Sequence, residues 1–303
     1  MSITAPSIGE QDLLEHYRAS NAASHGSITP EIAADQDHRW GDVASEPGGV
    51  DYIETTVAGV PALWLAPARR VDDVVLLCLH GGGFIGGSMY THRRMYAHIA
   101  KRSGARALVL NYRQMPDHPH PAAALDAAAA YGWLRGQDLR SIAAVGDSAG
   151  GALALGLALT SDLPAPDAVV GLSPWTDMTL SGASMRTNRA TDALFGGEHP
   201  FDLASMVDYV LGGPDADRRD PRISPLHGDL DKLPPTYLQV SGTEMLLDDA
   251  AGVAEAAPDV VALDVFDGQQ HTFQMAAGRS PVADDAVARV AAWLRDRLDI
   301  PGR

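Results

Sequence analysis

The sequence predicts an α/β protein, a mostly parallel sheet with helices packed on both faces. Three observations carry this. Short apolar runs that read as buried strands alternate along most of the chain with alanine-rich stretches of helical length, and repeated strand-helix-strand units imply a parallel sheet. An early pair of strands is joined by a tight turn. No Pro- or Gly-rich linker divides the 303 residues, so a single domain over 1–303 accommodates the length.

At the N-terminus, Leu13, Leu14 and Tyr17 share one helix face, and Thr29-Pro30-Glu31 has the form of an N-cap followed by proline at the first helical position. About the first 45 residues therefore read as helical. Tyr52-Ile53-Glu54-Thr55-Thr56, a turn at Ala58-Gly59, and Ala62-Leu63-Trp64-Leu65 read as an antiparallel hairpin. Strands follow near Val74 to Leu79, Ala107 to Asn111, Ile142 to Val145, Ala168 to Leu172, Tyr237 to Val240 and Val260 to Val265. Helices fill the gaps near Thr91 to Ser103, Ala122 to Leu134, Ala149 to Leu159, Leu247 to Ala256 and Ala283 to Leu298. The interval from Asp177 to Asp231 is too long for a crossover and reads as an insertion above the sheet, helical around Phe201 to Leu211. Phe195, Phe201, Met206 and Tyr209 either line a lid there or pack the insertion onto the domain.

A net charge of −16 argues against a nucleic-acid partner, because such binding draws its affinity from basic residues. Arginine greatly outnumbers lysine, of which only Lys101 and Lys232 occur. The single cysteine, Cys78, lies in an apolar run, so no internal disulfide forms and the thiol reads as a small buried hydrophobe. Met1 to Pro6 lack the basic start and apolar stretch of a secretory signal. No apolar run approaches the roughly 20 residues that span a bilayer. The expectation is a cytoplasmic protein without a membrane span.

Two glycine-flanked segments carry the chemistry, His80-Gly81-Gly82-Gly83-Phe84 and Gly146-Asp147-Ser148-Ala149-Gly150-Gly151. Each follows a strand, and the second opens directly into a helix, the context of a nucleophile turn with its anion-stabilising loop. Ser148 is the candidate nucleophile. Its base is expected after the last strand, given the chain order serine, acid, histidine, which selects His271 among 11 histidines. The acid belongs after the preceding strand, where Glu244, Asp248 and Asp249 compete. Glu244 comes first after the strand ends, whereas the two aspartates fall in the next helix, where complementing the helix dipole is an ordinary role. The backbone N–H groups of Gly82, Gly83 and Ala149 are the candidate oxyanion donors. His80 is expected to brace the glycine loop.

Other readings lack their companions. Gly81 to Gly86 satisfies G-x-G-x-x-G, yet the next strand ends at Asn111 and not at an acidic residue that would hold a ribose. The Gly146-Asp147-Ser148 context also occurs in trypsin-like proteases, which are disulfide-bearing β-barrels with the histidine upstream. In Asp117-His118-Pro119-His120-Pro121 a proline after each histidine suits an exposed turn better than a metal site. The chemistry requires no metal and no cofactor.

These residues resemble the hormone-sensitive lipase family of α/β-hydrolases, particularly its compact bacterial esterases. The likeness runs from about Asp72 onward and includes Tyr112-Arg113, Pro116-Asp117-His118-Pro119, Pro121-Ala122-Ala123, Ser173-Pro174-Trp175 with Asp177, Ser224-Pro225-Leu226 and Leu233-Pro234-Pro235. The resemblance implies an eight-stranded sheet with a helical cap from about 1–48 and about 177–222. It also implies Ser148 as nucleophile, His271 as base, and Gly82, Gly83 and Ala149 as oxyanion donors. Many members carry Asp-Pro-Leu after the seventh strand. This chain instead has Glu244-Met245-Leu246-Leu247-Asp248-Asp249, which is similar to a branch containing monoterpene lactone hydrolases. The implied substrate is a small ester or a lactone, and relatives that pair through the last strand leave a homodimer open. A ligand-binding protein on the same fold is the competing class. Its signature is a missing histidine, and here the histidine is present.

Overall fold

The computed structural model describes residues 7–24, 40–197 and 199–302. Helix α1 (Ile8–Ser24) is followed by the hairpin β1 (Val50–Val57) and β2 (Val60–Pro67), then β3 (Val71–Leu79), α2 (Met89–Ser103), β4 (Ala105–Leu110), α3 (Ala122–Arg135), β5 (Ser141–Asp147), α4 (Ala149–Thr160) and β6 (Ala168–Leu172). The insertion holds the short α5 (Ser184–Thr187) and α6 (Leu203–Leu211). It is followed by β7 (Thr236–Ser241), α7 (Leu247–Ala256), β8 (Val261–Phe266) and α8 (Pro281–Arg297). Each expected strand and crossover helix is present, with ends moved by a few residues. The Thr29-Pro30-Glu31 helix start lies outside the described residues, as do His25 and His38.

The eight strands form one sheet in the order β1-β2-β4-β3-β5-β6-β7-β8. β1, β2 and β4 are joined by antiparallel pairing, and every pair from β4 through β8 is parallel. The two-residue period of a strand divides the continuous apolar run of β3 between two cores. Val75, Leu77 and Leu79 enter one with α3 and α4. Val74, Leu76 and Cys78 enter the other with α2 and α8. Cys78 is buried and unpaired, as a small hydrophobe should be.

Local signals set the helix ends. Ser88 caps α2 through the amides of Tyr90 and Thr91, with Thr91 returning the bond in a capping box, and Gly104 closes the helix in a left-handed conformation. Ser280 caps α8, with Pro281 in its first turn. Among the described residues, no helix is long and apolar enough to cross a membrane.

Register determines where the loops meet. Leu79 of β3 pairs with Gly146 of β5, and Asp147 pairs with Leu172 of β6. The carboxyl ends of the parallel strands therefore lie along one edge, the usual position of a ligand crevice in such sheets. The insertion packs over this edge, with Phe195, Phe201 and Met206 all buried. Tyr209 differs from the expectation and is 37% exposed, because α6 buries Leu203, Met206, Val207, Val210 and Leu211 and turns Tyr209 away from that face. The turn at Asp117 to Pro121 is only partly exposed as well. His118 faces solvent, but His120 is half-buried with Nε2 2.9 Å from Asp220 of the insertion.

Candidate active site

Ser148 occupies the sharp turn between β5 and α4, with φ 51° and ψ −120°. A residue with a side chain reaches that region only against steric resistance, at a cost of about 1–3 kcal/mol. Glycines make the turn possible. A Cβ on Gly146 would overlap the Gly150 carbonyl, and one on Gly150 would overlap the carbonyl of Leu79. Phe84, Ser173 and Thr272 also adopt positive φ (63°, 48° and 46°), so strained backbone gathers around this one point.

Three side chains from three loops meet here. His271 Nε2 lies 2.9 Å from Ser148 Oγ, and its Nδ1 meets Glu244 Oε2 in a short contact. All three residues are buried. Burial lowers the pKa of His271, but the charge and hydrogen bond of Glu244, joined by Asp192 and Asp147, outweigh it and hold the pKa above 6.5. The other Glu244 oxygen, Oε1, accepts from Ser173 Oγ at 2.8 Å and from the Ser241 amide at 2.7 Å. A carboxylate held in this way fixes the tautomer and orientation of the imidazole.

The competing aspartates face elsewhere. Asp248 Oδ2 accepts from the Ser184 amide at 2.8 Å. Asp249 Oδ2 takes the amides of Thr176 and Asp177 at 2.7 and 2.8 Å. Both lie in α7 and hold the start of the insertion against it.

Facing Ser148 across adjacent strands is the glycine loop. Among the described residues, the N–H groups of Gly82, Gly83 and Ala149 donate to no protein acceptor. Ala149 opens α4, where unpaired amides and the helix dipole favour negative charge. His80 braces the loop as expected, its Nδ1 donating to Gly81 O at 2.7 Å and its ring stacked on Tyr112 at 4.3 Å. Burial, with neighbouring His92 next in weight, pushes the His80 pKa down to about 3. The ring is neutral and is not a proton carrier at neutral pH.

Several supporting residues escaped the sequence reading. Ser173 Oγ bridges the site, donating to Glu244 and accepting the Thr272 amide at 3.1 Å. Asp192 of the insertion accepts the amide of Met245, beside Glu244, at 2.8 Å. Tyr17 of α1 donates to the His271 carbonyl at 2.9 Å, and Asn21 of the same helix donates to the carbonyls of Leu194, Gly196 and His199. Ser173 was visible in the Ser173-Pro174-Trp175 motif, although nothing local assigned its hydroxyl a partner 71 residues away. Above the site, the Phe195 ring is 5.1 Å from that of His271, and the Met206 methyl occupies the space that a Cβ on Gly83 would need.

Comparison with known proteins identifies the family. A family model for the alpha/beta hydrolase fold matches residues 76–275. The chain is 38% identical over 240 residues to an acetyl-hydrolase of Streptomyces hygroscopicus, covering 77% of this chain and 77% of that protein. It is 30% identical over 277 residues to an ethyl acetate hydrolase of Pseudomonas putida, covering 84% and 85%. Among solved structures, an esterase from the bacterial hormone-sensitive lipase family has 36% identity and a TM-score of 0.85, covering 97% of this chain and 100% of that one. A hormone-sensitive lipase from a metagenome library has 30% identity and a TM-score of 0.86, covering 97% and 99%.

Proposed function

The chain belongs to the α/β-hydrolase fold family and is a carboxylesterase of the hormone-sensitive lipase type, and from that premise we propose that it cleaves short-chain carboxylic esters through Ser148, His271 and Glu244. The observation that carries the reading is the unbroken line from Ser148 Oγ through both nitrogens of His271 to Glu244.

His271 Nε2 removes the hydroxyl proton as Ser148 Oγ bonds to the ester carbonyl carbon, and the carbonyl oxygen takes up negative charge opposite the amides of Gly82, Gly83 and Ala149. The tetrahedral species collapses, the C–O bond to the alcohol breaks, and His271 returns its proton to that alcohol. Water, deprotonated by the same imidazole, then attacks the acyl carbon, the bond to Ser148 Oγ breaks as that oxygen takes the proton back from His271, and the acid is released. Glu244 orients the imidazole and stabilises the imidazolium that forms.

Within a single domain over 1–303, α1 and the stretch 177–222 form the cap that selects the acyl group. Phe195 and Met206 close over the base and the glycine loop, which favours short acyl chains, and two of the relatives are named for acetyl and ethyl acetate hydrolysis. A lactone, whose leaving alcohol stays tethered to its acyl group, fits the same chemistry as a second substrate class. Pairing of two copies along β8, the edge strand, is compatible with this site.

Ser148→Ala is expected to lower kcat on a short-chain aryl ester by about a millionfold, the scale of triad removal, and to abolish labelling by a fluorophosphonate probe. Near-normal turnover in that variant sinks the proposal. A panel of acyl lengths together with lactones measures the cap, and a preference for long acyl chains rejects its assigned role.

A further inference from the structure

A buried polar cluster beneath the glycine loop touches none of the reacting atoms just described, and its carboxylate enters that chemistry only as a minor contributor to the raised pKa of His271. Asp147, the last residue of β5, and His92 of α2 are both wholly buried, with His92 Nε2 3.3 Å from Asp147 Oδ2. This is an ion-pair distance, although the contact is not aligned as a hydrogen bond. Asp147 Oδ1 accepts the Gly81 amide at 3.1 Å and lies 2.6 Å from the Tyr96 hydroxyl. That hydroxyl is also 2.7 Å from the Leu79 carbonyl, so one proton is divided between two acceptors. Burial raises the Asp147 pKa, but His92 and the Tyr96 hydroxyl outweigh it and hold the carboxyl below the usual carboxylate range.

We infer that Asp147, held by Tyr96 and His92, is a positioning residue for the oxyanion donors, acting through the amide of Gly81. The inference rests on the proposed function, since it assigns the glycine loop to the oxyanion. Two consecutive peptide planes set the direction of these donors. The His80–Gly81 peptide is clamped at both ends, its N–H on Asp147 and its carbonyl accepting from Tyr112 at 2.5 Å. The next peptide carries the Gly82 N–H, and its carbonyl, on Gly81, is held by His80 at 2.7 Å. The direction of the first oxyanion donor is therefore fixed by side chains lying below the loop.

Burying a carboxylate is unfavourable unless it is paired and hydrogen-bonded, and a charged acceptor holds an amide more strongly than a neutral one. Fold support alone needs neither. Gly81 also admits no side chain, because Asp147 and Ser148 fill the space that its Cβ would take. The nucleophile turn and the anion loop thus register against each other through the residue that immediately precedes Ser148.

Asp147→Asn keeps the size and one acceptor while removing the charge. On p-nitrophenyl acetate, kcat should fall about 100-fold, the effect of a displacement near 1 Å, with KM within about threefold, since ester binding in the ground state does not use the oxyanion donors. Affinity for a short trifluoromethyl ketone, whose adduct with Ser148 places an oxyanion in the same loop, should fall by the same factor. Tyr96→Phe, which removes one hydroxyl, should move both quantities the same way by a smaller factor. Unchanged or increased kcat in Asp147→Asn, a change confined to KM, or a kcat loss without the matching loss of ketone affinity overturns the inference. If Asp147→Asn fails to fold, Tyr96→Phe decides, and wild-type kcat and ketone affinity in it overturn the inference. Full activity in Ser148→Ala removes the functional reading itself. Full activity in Asp147→Asn alone, in an enzyme that depends on Ser148, removes only this inference.

Discussion

On one side of the site, Ser148 and the glycine loop come from two turns at the ends of adjacent parallel strands, β3 and β5, brought together by backbone pairing. On the other side, Glu244 and His271 follow β7 and β8, and they are held by Ser173 after β6 at the Glu244 carboxylate, by Asp192 in the insertion at the Met245 amide and by Tyr17 in α1 at the His271 carbonyl. The first half is positioned by main chain and glycine, the second by side chains drawn from three remote segments. A half built from backbone is altered only where an anchoring side chain touches it. A half built from side chains can be weakened one bond at a time.

The sharpest test of the side-chain half compares Glu244→Gln with Asp248→Asn. Loss of the carboxylate that fixes the imidazole tautomer should lower kcat about ten-thousandfold. Asp248→Asn, which disturbs only the seat of the insertion on α7, should cost less than about tenfold. A larger loss at Asp248 reverses the assignment of the acid. Next in size, Ser173→Ala removes a hydrogen bond to a charged group and orphans the Thr272 amide. Such bonds are worth about 1.5–3 kcal/mol, so kcat should fall about 10- to 100-fold, and unchanged kinetics would show that Glu244 needs no such brace. Tyr17→Phe deletes one buried hydroxyl and should destabilise the protein by about 1–2 kcal/mol. Chemical denaturation reads that loss, and an unchanged midpoint would detach α1 from the base loop.

The smallest effect is in pH. The profile of kcat/KM reports the free enzyme, in which the proposed base, His271, must be neutral to accept a proton. Its pKa is raised above 6.5 because Glu244, with Asp192 and Asp147, outweighs burial. Activity should therefore be lost as pH falls through a midpoint above 6.5, and Glu244→Gln should move that midpoint down. A wild-type midpoint below 6.5 would mean that burial dominates.

The same contrast explains what could be read from the sequence. Strands and crossover helices were legible because each is a local pattern, and the Ser148 turn because Gly146 and Gly150 flank the serine where strand meets helix. His271 was legible through chain order. Glu244 could be ranked above Asp248 and Asp249 but not separated from them, since the distinction lies in which carboxylate reaches an imidazole 27 residues away. Ser173, Asp192 and Tyr17 were beyond reach for the same reason, because a hydroxyl or carboxylate carries no local mark of a partner on another element. The exposure of Tyr209 and the pairing of His120 with Asp220 likewise depended on which face α6 buries and where the insertion folds back.

The bond from Tyr17 to the His271 carbonyl joins residues 254 positions apart, and it bears on the order of assembly. Contacts so distant in sequence form late, because closing so large a loop costs chain entropy before any contact repays it. On a ribosome, a nascent chain whose Ser148 turn has already emerged still has no base to activate it. Under the proposed reaction, hydrolytic competence would switch on only once His271 has emerged and swung in against a helix made before it.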